Sequence, residues 1–470
     1  MSGGLLLAVL SCSTPRNAPD APLPNAGGVP DARASAPASG NVAIIVLDAC
    51  RADKMGCYGF GRPTTPNIDQ FARDPDATVF PRHYVQGAWT KPSVASMFSG
   101  AYVKQHGVVL NHKDNKKKSA WRKYLTQVLS GDYDTLAERM KRLGFRTLGV
   151  VKSFHLDAKY GFSQGFDVYE GPDRIHSDVD RIDRFLDLAS TPGAPFFAYV
   201  HLNACHLPFE AADRDADYMA SFAVAYDEQA RQAEGLDFTT SELVAEIKRG
   251  GRRLTKEDRA FLNLIYEAKM RRVDRLLVSR LLEGLKSRGL YDSTLILLTA
   301  DHGEQLYDHE SYGHGNALWE EVVHVPLIVK FPKGTRPAPA GVPGLTEAVD
   351  FLPAIVSWAG GPPDESLPGH RFLQGEYGSF VLGETKNDWF YTDGDIKAMG
   401  GRSSHLFRLS SDPLESDDHF AQDPATHLAL TARIEAVMKM YEPLAHAPTP
   451  IEIELSPEEE KNLKSLGYLK

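Results

Sequence analysis

The chain has only four cysteines in 470 residues, Cys12, Cys50, Cys57 and Cys205. Four is too few for a disulfide scaffold of this size, and their spacing is not that of metal ligands. Cys50 and Cys57 are near enough in sequence to pair in an oxidising compartment, although the plainer reading makes both small packing residues. No apolar run reaches the ~20 residues needed to cross a bilayer. No basic excess exists either: 52 Lys and Arg face 62 Asp and Glu, a formal net charge of −10. That balance argues against nucleic-acid binding as the main activity. It leaves a small anionic substrate open, because a bound metal ion creates its own local field. Internal repeats are absent. A hydrophobic content of 42% and a charged content of 24% are ordinary for a globular protein, and the length allows one large α/β domain plus a smaller piece.

The N-terminus divides into two stretches. Leu5–Cys12 is apolar and ends in Ser-Cys, like a bacterial lipobox with Cys12 as the lipidated residue. No Lys or Arg precedes the run, so it departs from a standard signal peptide. Residues 13–40 are dominated by Ala, Pro and polar residues, a composition that cannot build a core and suits a tether. Together, residues 1–12 as a lipoprotein signal segment and 13–40 as a disordered tether predict an exported protein, periplasmic or held at the outer membrane through Cys12. If the lipobox reading is wrong, the expectation is a cytoplasmic protein.

From Asn41 the pattern is that of a folded domain. Strand-like runs occur at Ala43–Leu47, Thr147–Val151, Phe196–Val200, Leu295–Thr299 and Pro326–Phe331, separated by helical patterns. The clearest helix runs from Leu264 to Arg288 and stops near Gly289. Alternating strand and helix predicts a mostly parallel sheet covered on both faces. Residues 210–258 are polar and charged and predict a helical insertion. The catalytic domain would span 41–360. A C-terminal piece, 361–470, would hold a strand at Leu406–Leu409 and a last helix capped by Ser456.

Two strands end in acids. Asn41–Leu47 runs directly into Asp48, and Leu295–Thr299 runs into Asp301-His302-Gly303-Glu304. Open α/β sheets place their sites at the carboxyl ends of strands. An isolated buried carboxylate is costly, so two such strands suggest one shared cation. Asp48, Asp301 and His302 are the expected metal ligands, with the Thr90 hydroxyl as a fourth. Thr90 precedes Lys91-Pro92-Ser93 and a helical run, so it lies at a helix start, where free N–H groups favour an anion. The alternative there is a plain N-cap. Carboxylates with an imidazole suit Mn²⁺, Zn²⁺ or Mg²⁺.

These segments, taken in order, resemble the sulfatase branch of the alkaline phosphatase superfamily. The likeness runs through Leu47–Gly59, Thr65–Ala72, Thr90–Gly100, Gln105–Gly107, Thr135–Glu138, Gly165–Tyr169, Phe196–Pro208, Asp301–Glu304, Gly313-His314-Gly315 and Glu320–Ile328. It implies an α/β, alkaline-phosphatase-like fold with a mostly parallel sheet, helices on both faces and a small C-terminal α+β subdomain. It also implies a metal-dependent hydrolase or transferase acting on phosphoric or sulfuric esters, and makes Ca²⁺ less favoured, because the Ca²⁺ site of sulfatases has Asn where this chain has His302. This chain departs from the pattern at three places. Thr90 stands where sulfatases carry the Cys or Ser that becomes formylglycine, Val94 stands where they carry Arg, and Ala49 replaces the second acid of an Asp-Asp pair.

The resemblance points to His206 and His314 as the groups that hold the transferring group and protonate the leaving oxygen. Arg51 and Lys91 are candidates for the positive charge that Val94 does not supply. For Arg51 the alternative is an ion pair that pins its loop, and for Lys91 a side chain in solvent. His201 and His309 are expected to play supporting roles, and most other histidines to lie at the surface. The basic run Lys113–Lys123 is a solvated loop or a recruiter of anionic or lipid substrate. A threonine cannot become formylglycine, so the leading expectation is phosphoester chemistry through a Thr90 nucleophile on a small anionic or lipid- or glycan-linked ester. Two alternatives are a sulfuric ester hydrolase and a non-catalytic metal-binding relative. Oligomeric state is not legible.

Overall fold

The computed structural model describes residues 40–109, 113–114, 123–172, 174–175, 177–222, 224–315, 317–336, 342–442, 451–454, 457 and 460. Cys12, the tether, residues 115–122 of the basic run and Ser456 lie outside them. The main sheet has seven strands: β1 (Asn41–Leu47), β2 (Ala77–Val79), β3 (Arg146–Val151), β4 (Val168–Glu170), β5 (Phe196–Leu202), β6 (Thr294–Thr299) and β7 (Leu327–Lys330). Their order is β2-β7-β6-β1-β5-β3-β4. The five strands from β6 to β4 are parallel. The edge pair is antiparallel: β7 to β6, and β2 to β7. All seven residues of β5 and all six of β6 are buried, as strands covered on both faces must be.

Side-chain alternation shows the two helical layers. Tyr199 of β5 meets Phe98 of α1 (Thr90–Ser99) edge-on at 4.7 Å. Phe196, of opposite parity, meets Phe185 on the other face at 6.0 Å. With α1 pack α2 (Leu136–Arg142) and, later in the chain, Phe351–Trp358. Phe185 belongs to α3 (Asp178–Ala189), beside which runs the long rod of α4 (Lys256–Val273) and α5 (Ser279–Ser287). That rod starts eight residues before the expected Leu264, because Thr255 caps it through a reciprocal pair with Asp258. One wide π-turn, Asp274–Val278, joins its halves. The buried Asp274 carboxylate accepts the backbone N–H groups of Asn67 and Ile68 at 3.0 and 2.8 Å, at the start of helix Pro66–Ala72. Gly289 ends the rod at φ +67°.

Residues 210–258 carry the short helices Ala216–Ser221, Glu228–Ala233 and Ser241–Lys248. The C-terminal part is a four-stranded antiparallel meander: β8 (Val381–Glu384), β9 (Trp389–Thr392), β10 (Ile396–Gly400) and β11 (His405–Arg408). Helix Pro424–Met440 packs on it with its own small apolar cluster, which includes Leu382, Tyr391, Ile434 and Met438. The fold is therefore the α/β class expected: a mixed, mostly parallel sheet between helices, with a small C-terminal antiparallel sheet.

Candidate active site

Strand β1 is the fourth of the seven strands, flanked by β6 and β5, both parallel to it. Asp48 follows β1, and Asp301 lies two residues beyond β6, so both carboxylates reach the same sheet edge. They are 1% and 0% exposed. The His302 Nε2 atom lies 3.3 Å from Asp48 Oδ1 and 3.6 Å from Asp301 Oδ2. His302 Nδ1 donates to the Gly303 carbonyl at 2.8 Å, which leaves Nε2 to face the acids. Gly303 is needed for room: a Cβ there would sit 2.0 Å from the Glu321 carbonyl oxygen.

Burial alone would raise both acids. For Asp301 the His302 and His201 imidazoles outweigh it and hold the carboxyl well below its usual range. Asp48 is raised by burial and by Asp301, yet His206, His302 and His201 hold it low. Burial pulls His302 down, but Asp301 and Asp48 lift it to about 10. Asp48 Oδ1 is buried and makes no hydrogen bond. Two buried carboxylates with imidazole nitrogens at their side could hold a divalent cation, and Asp48 and Asp301 belong to a group whose ligand atoms lie within 4.8 Å of one another.

Thr90 is the first residue of α1, and the capping position belongs to Trp89. The Thr90 hydroxyl lies 3.4 Å from His302 Nε2, 1% exposed. Its oxygen thus stands beside the carboxylates and over the first turn of a helix. His206 and His314 close the other side, with ring centres 4.7 Å apart, and His314 lies 4.2 Å from His302. His206 Nδ1 donates to the Leu207 carbonyl at 2.5 Å, and Lys269 braces that loop through the His206 and Pro208 carbonyls. The glycines beside His314 do more than make room: both have positive φ, +88° at Gly313 and +97° at Gly315.

His314 Nδ1 faces Glu304 Oε1 at 2.8 Å. Burial, with the neighbouring His302, His206 and Lys248, keeps His314 below the usual imidazole range. Burial pushes Glu304 up to about 7. The contact places the two side chains to hold one proton between them.

Arg51 and Lys91 do not supply the charge that Val94 lacks. The Arg51 guanidinium donates to both Asp53 oxygens, both Asp308 oxygens and the Glu304 carbonyl. All five N–H bonds are thereby used, so Arg51 pins its loop. Lys91 is neither in solvent nor at the acids: it is fully buried, donates to Thr126 Oγ1 at 2.7 Å and lies 4.3 Å from the Tyr160 ring centre. Desolvation pulls its pKa down to about 7. Val94 is core. Ala49 takes a left-handed turn at φ +59° and directs its N–H toward Asp301 Oδ1 at 3.4 Å.

Several placements go beyond what the sequence analysis gave. His201 touches both acids, as described below. Lys248, from the insertion, donates to the His314 carbonyl at 2.7 Å. His155, expected at the surface with other histidines, is buried and meets the Trp89 ring edge-on at 5.1 Å. His83 and His106 are buried too. His309 does support structure: it stacks on Trp319 at 3.9 Å and pairs with Glu321 at 2.9 Å. Cys50 pairs with nothing near Cys57. Its thiol lies beside Cys205 in the core, and Cys57 lies against Asp69, where burial and that acid push it up to about 12. The strand-end rule found Asp48 and Asp301. Glu304 and His201 had the weaker signals of position, one three residues beyond Asp301 and the other near the end of a buried strand.

Comparison with known proteins bears on the family and the fold. The chain is 25% identical over 417 residues to the multifunctional alkaline phosphatase superfamily protein PehA of Trinickia caryophylli, covering 74% of this chain and 78% of that protein. It is 25% identical to human iduronate 2-sulfatase over 355 residues, covering 64% of this chain and 61% of that protein. The fold is shared with the crystal structure of the phosphonate monoester hydrolase of Agrobacterium radiobacter, at a TM-score of 0.65 and 21% identity, over 86% of this chain and 96% of that one. The family model Sulfatase matches residues 40–361, and the chain belongs to that family of ester hydrolases.

Proposed function

We propose that the protein is a metal-dependent phosphoester hydrolase that works through a covalent phosphothreonine on Thr90. The observation that carries this reading is the Thr90 hydroxyl at the head of α1, buried and 3.4 Å from His302 Nε2, at the edge where Asp48 and Asp301 meet. Asp48, Asp301 and His302, with Thr90 beside them, would hold the cation. When bound, a divalent ion lowers the pKa of an adjacent oxygen and neutralises charge on a phosphoryl group.

Thr90 loses its proton to solvent and its oxygen attacks phosphorus, while the bond to the leaving oxygen breaks. The free N–H groups of the first turn of α1 favour the negative charge gathering there. The leaving oxygen takes the proton held by the Glu304–His314 pair. Water then attacks the phosphothreonine, returns a proton to that pair and frees Thr90. A sulfothreonine has no hemiacetal route of breakdown, whereas phosphorus is open to direct attack by water. The fit is to a small anionic ester, free or carried on a lipid or glycan. Export and anchoring through Cys12 belong to the same proposal, and Cys12→Ser should move the protein from the membrane to the soluble fraction.

A panel of phosphate monoesters, phosphodiesters and aryl sulfates tests the reading. Phosphoester turnover should exceed sulfate turnover well beyond tenfold. Robust sulfate cleavage without phosphoester cleavage would establish the sulfuric ester alternative, and no turnover at all with metal bound would establish the non-catalytic one.

A further inference from the structure

We infer that His201 is a ligand of the same cation, so that two carboxylates and two imidazoles surround it. The inference rests on the reading of Asp48, Asp301 and His302 as the metal site. His201 is the sixth residue of β5, of the same parity as Tyr199, whose ring packs against α1. The imidazole is therefore delivered to the face that carries Thr90, and at the strand end it comes level with Val46 of β1, two residues before Asp48. His201 Nε2 lies 3.3 Å from Asp301 Oδ2 and 3.9 Å from Asp48 Oδ2. One ligand atom from each of the three residues lies within 4.8 Å of the others. Atoms on one small cation are spaced in this way.

The surroundings of the ring support a ligand rather than a structural prop. His201 is 0% exposed, and among the described residues its Nδ1 has no hydrogen-bond partner. The ring is thus not a link in a polar chain between two elements. Its polar contacts are with the two acids, the groups that most need a cation. Ala49, beside Asp48, brings only a methyl group, and Arg51 and Lys91 are engaged elsewhere. His201 is the side chain that adds a donor. A second imidazole also changes the character of the site. Oxygen-only sets suit Mg²⁺ and Ca²⁺, whereas imidazole suits Zn²⁺ and its first-row neighbours. The site should therefore prefer Zn²⁺ to Mg²⁺ strongly.

The test uses the full chain, stripped with a chelator and titrated with Zn²⁺ and with Mg²⁺. The wild type should take up one Zn²⁺ per chain at the site, and X-ray absorption of the zinc-loaded protein should show two imidazole ligands. His201→Gln should show one, and should lose Zn²⁺ affinity on the order of tenfold or more while Mg²⁺ affinity changes little. A single imidazole in the wild type would overturn the inference even if His201→Gln proves unstable. Unchanged Zn²⁺ affinity in a folded His201→Gln would also overturn it. The underlying site fails separately: Asp301→Ala retaining wild-type Zn²⁺ affinity would sink the assignment of Asp48, Asp301 and His302, whatever His201 does.

Discussion

The role proposed for Thr90 rests on one oxygen. Removing that oxygen should be far worse than removing its methyl group. Thr90→Ala is expected to lose at least ~1,000-fold in kcat on phosphoesters, and Thr90→Ser to stay within about tenfold, since the serine hydroxyl keeps the position at the start of α1. Steady-state kinetics on one activated ester measures both, and a Thr90→Ala enzyme of near-normal activity would contradict the role. Glu304 makes a subtler prediction. If it governs the proton shared with His314 at 2.8 Å, Glu304→Gln should slow alkyl esters much more than p-nitrophenyl esters, whose leaving oxygen needs no proton. Equal loss on both would mean that Glu304 only orients the ring. Asp48, Asp301 and His302 were legible because buried apolar runs end in them. Glu304 and His201 were not, because their meaning lies in neighbours ten and a hundred residues away. The burial of Lys91 was hidden for the same reason, since its partners Thr126 and Tyr160 come from other segments.

At the scale of elements, the strands were readable from apolar runs and the rod Lys256–Ser287 from its helical period. The antiparallel turn of β7 and the π-turn at Asp274 were not, because pairing direction and helix winding depend on what lies alongside. The C-terminal sheet joins the rest of the fold by a buried ion cluster that no local pattern announces. Lys397 of β10 lies 2.9 Å from both Glu320 and Glu415 and is fully buried. Replacing it by Met would leave the buried Glu415 and the half-buried Glu320 without their cation, at a cost of about 3–5 kcal/mol. Chemical unfolding would measure the loss, and an unchanged midpoint would show the cluster to be solvated. Burial pushes Glu415 up to about 7. A carboxyl raised in this way contributes stability that is complete below pH ~4.5 and is lost as pH rises through about 7. Glu415→Gln should therefore show a smaller fall in Tm between pH 5 and pH 8 than the wild type, and an identical fall would remove Glu415 from the account.

Across the whole molecule, the fold brings two buried acids to one sheet edge, where the proposed cation would relieve them. The metal should therefore be a stabilising ligand as well as a reactant. A cation at 100 times its Kd contributes about 2.7 kcal/mol to the folded state. Chelation should lower Tm, readdition of Zn²⁺ should restore it, and Asp301→Ala should respond to neither; a Tm indifferent to chelation would deny the site. The central claim, however, is the covalent step. The direct measurement is acid quenching during turnover of a phosphoester, followed by peptide mass spectrometry. A phosphate adduct on Thr90 that forms on mixing, disappears as substrate is consumed and is absent from Thr90→Ala is the predicted result. Full turnover with no adduct on Thr90 at any quench time, or an adduct on another residue, would contradict it.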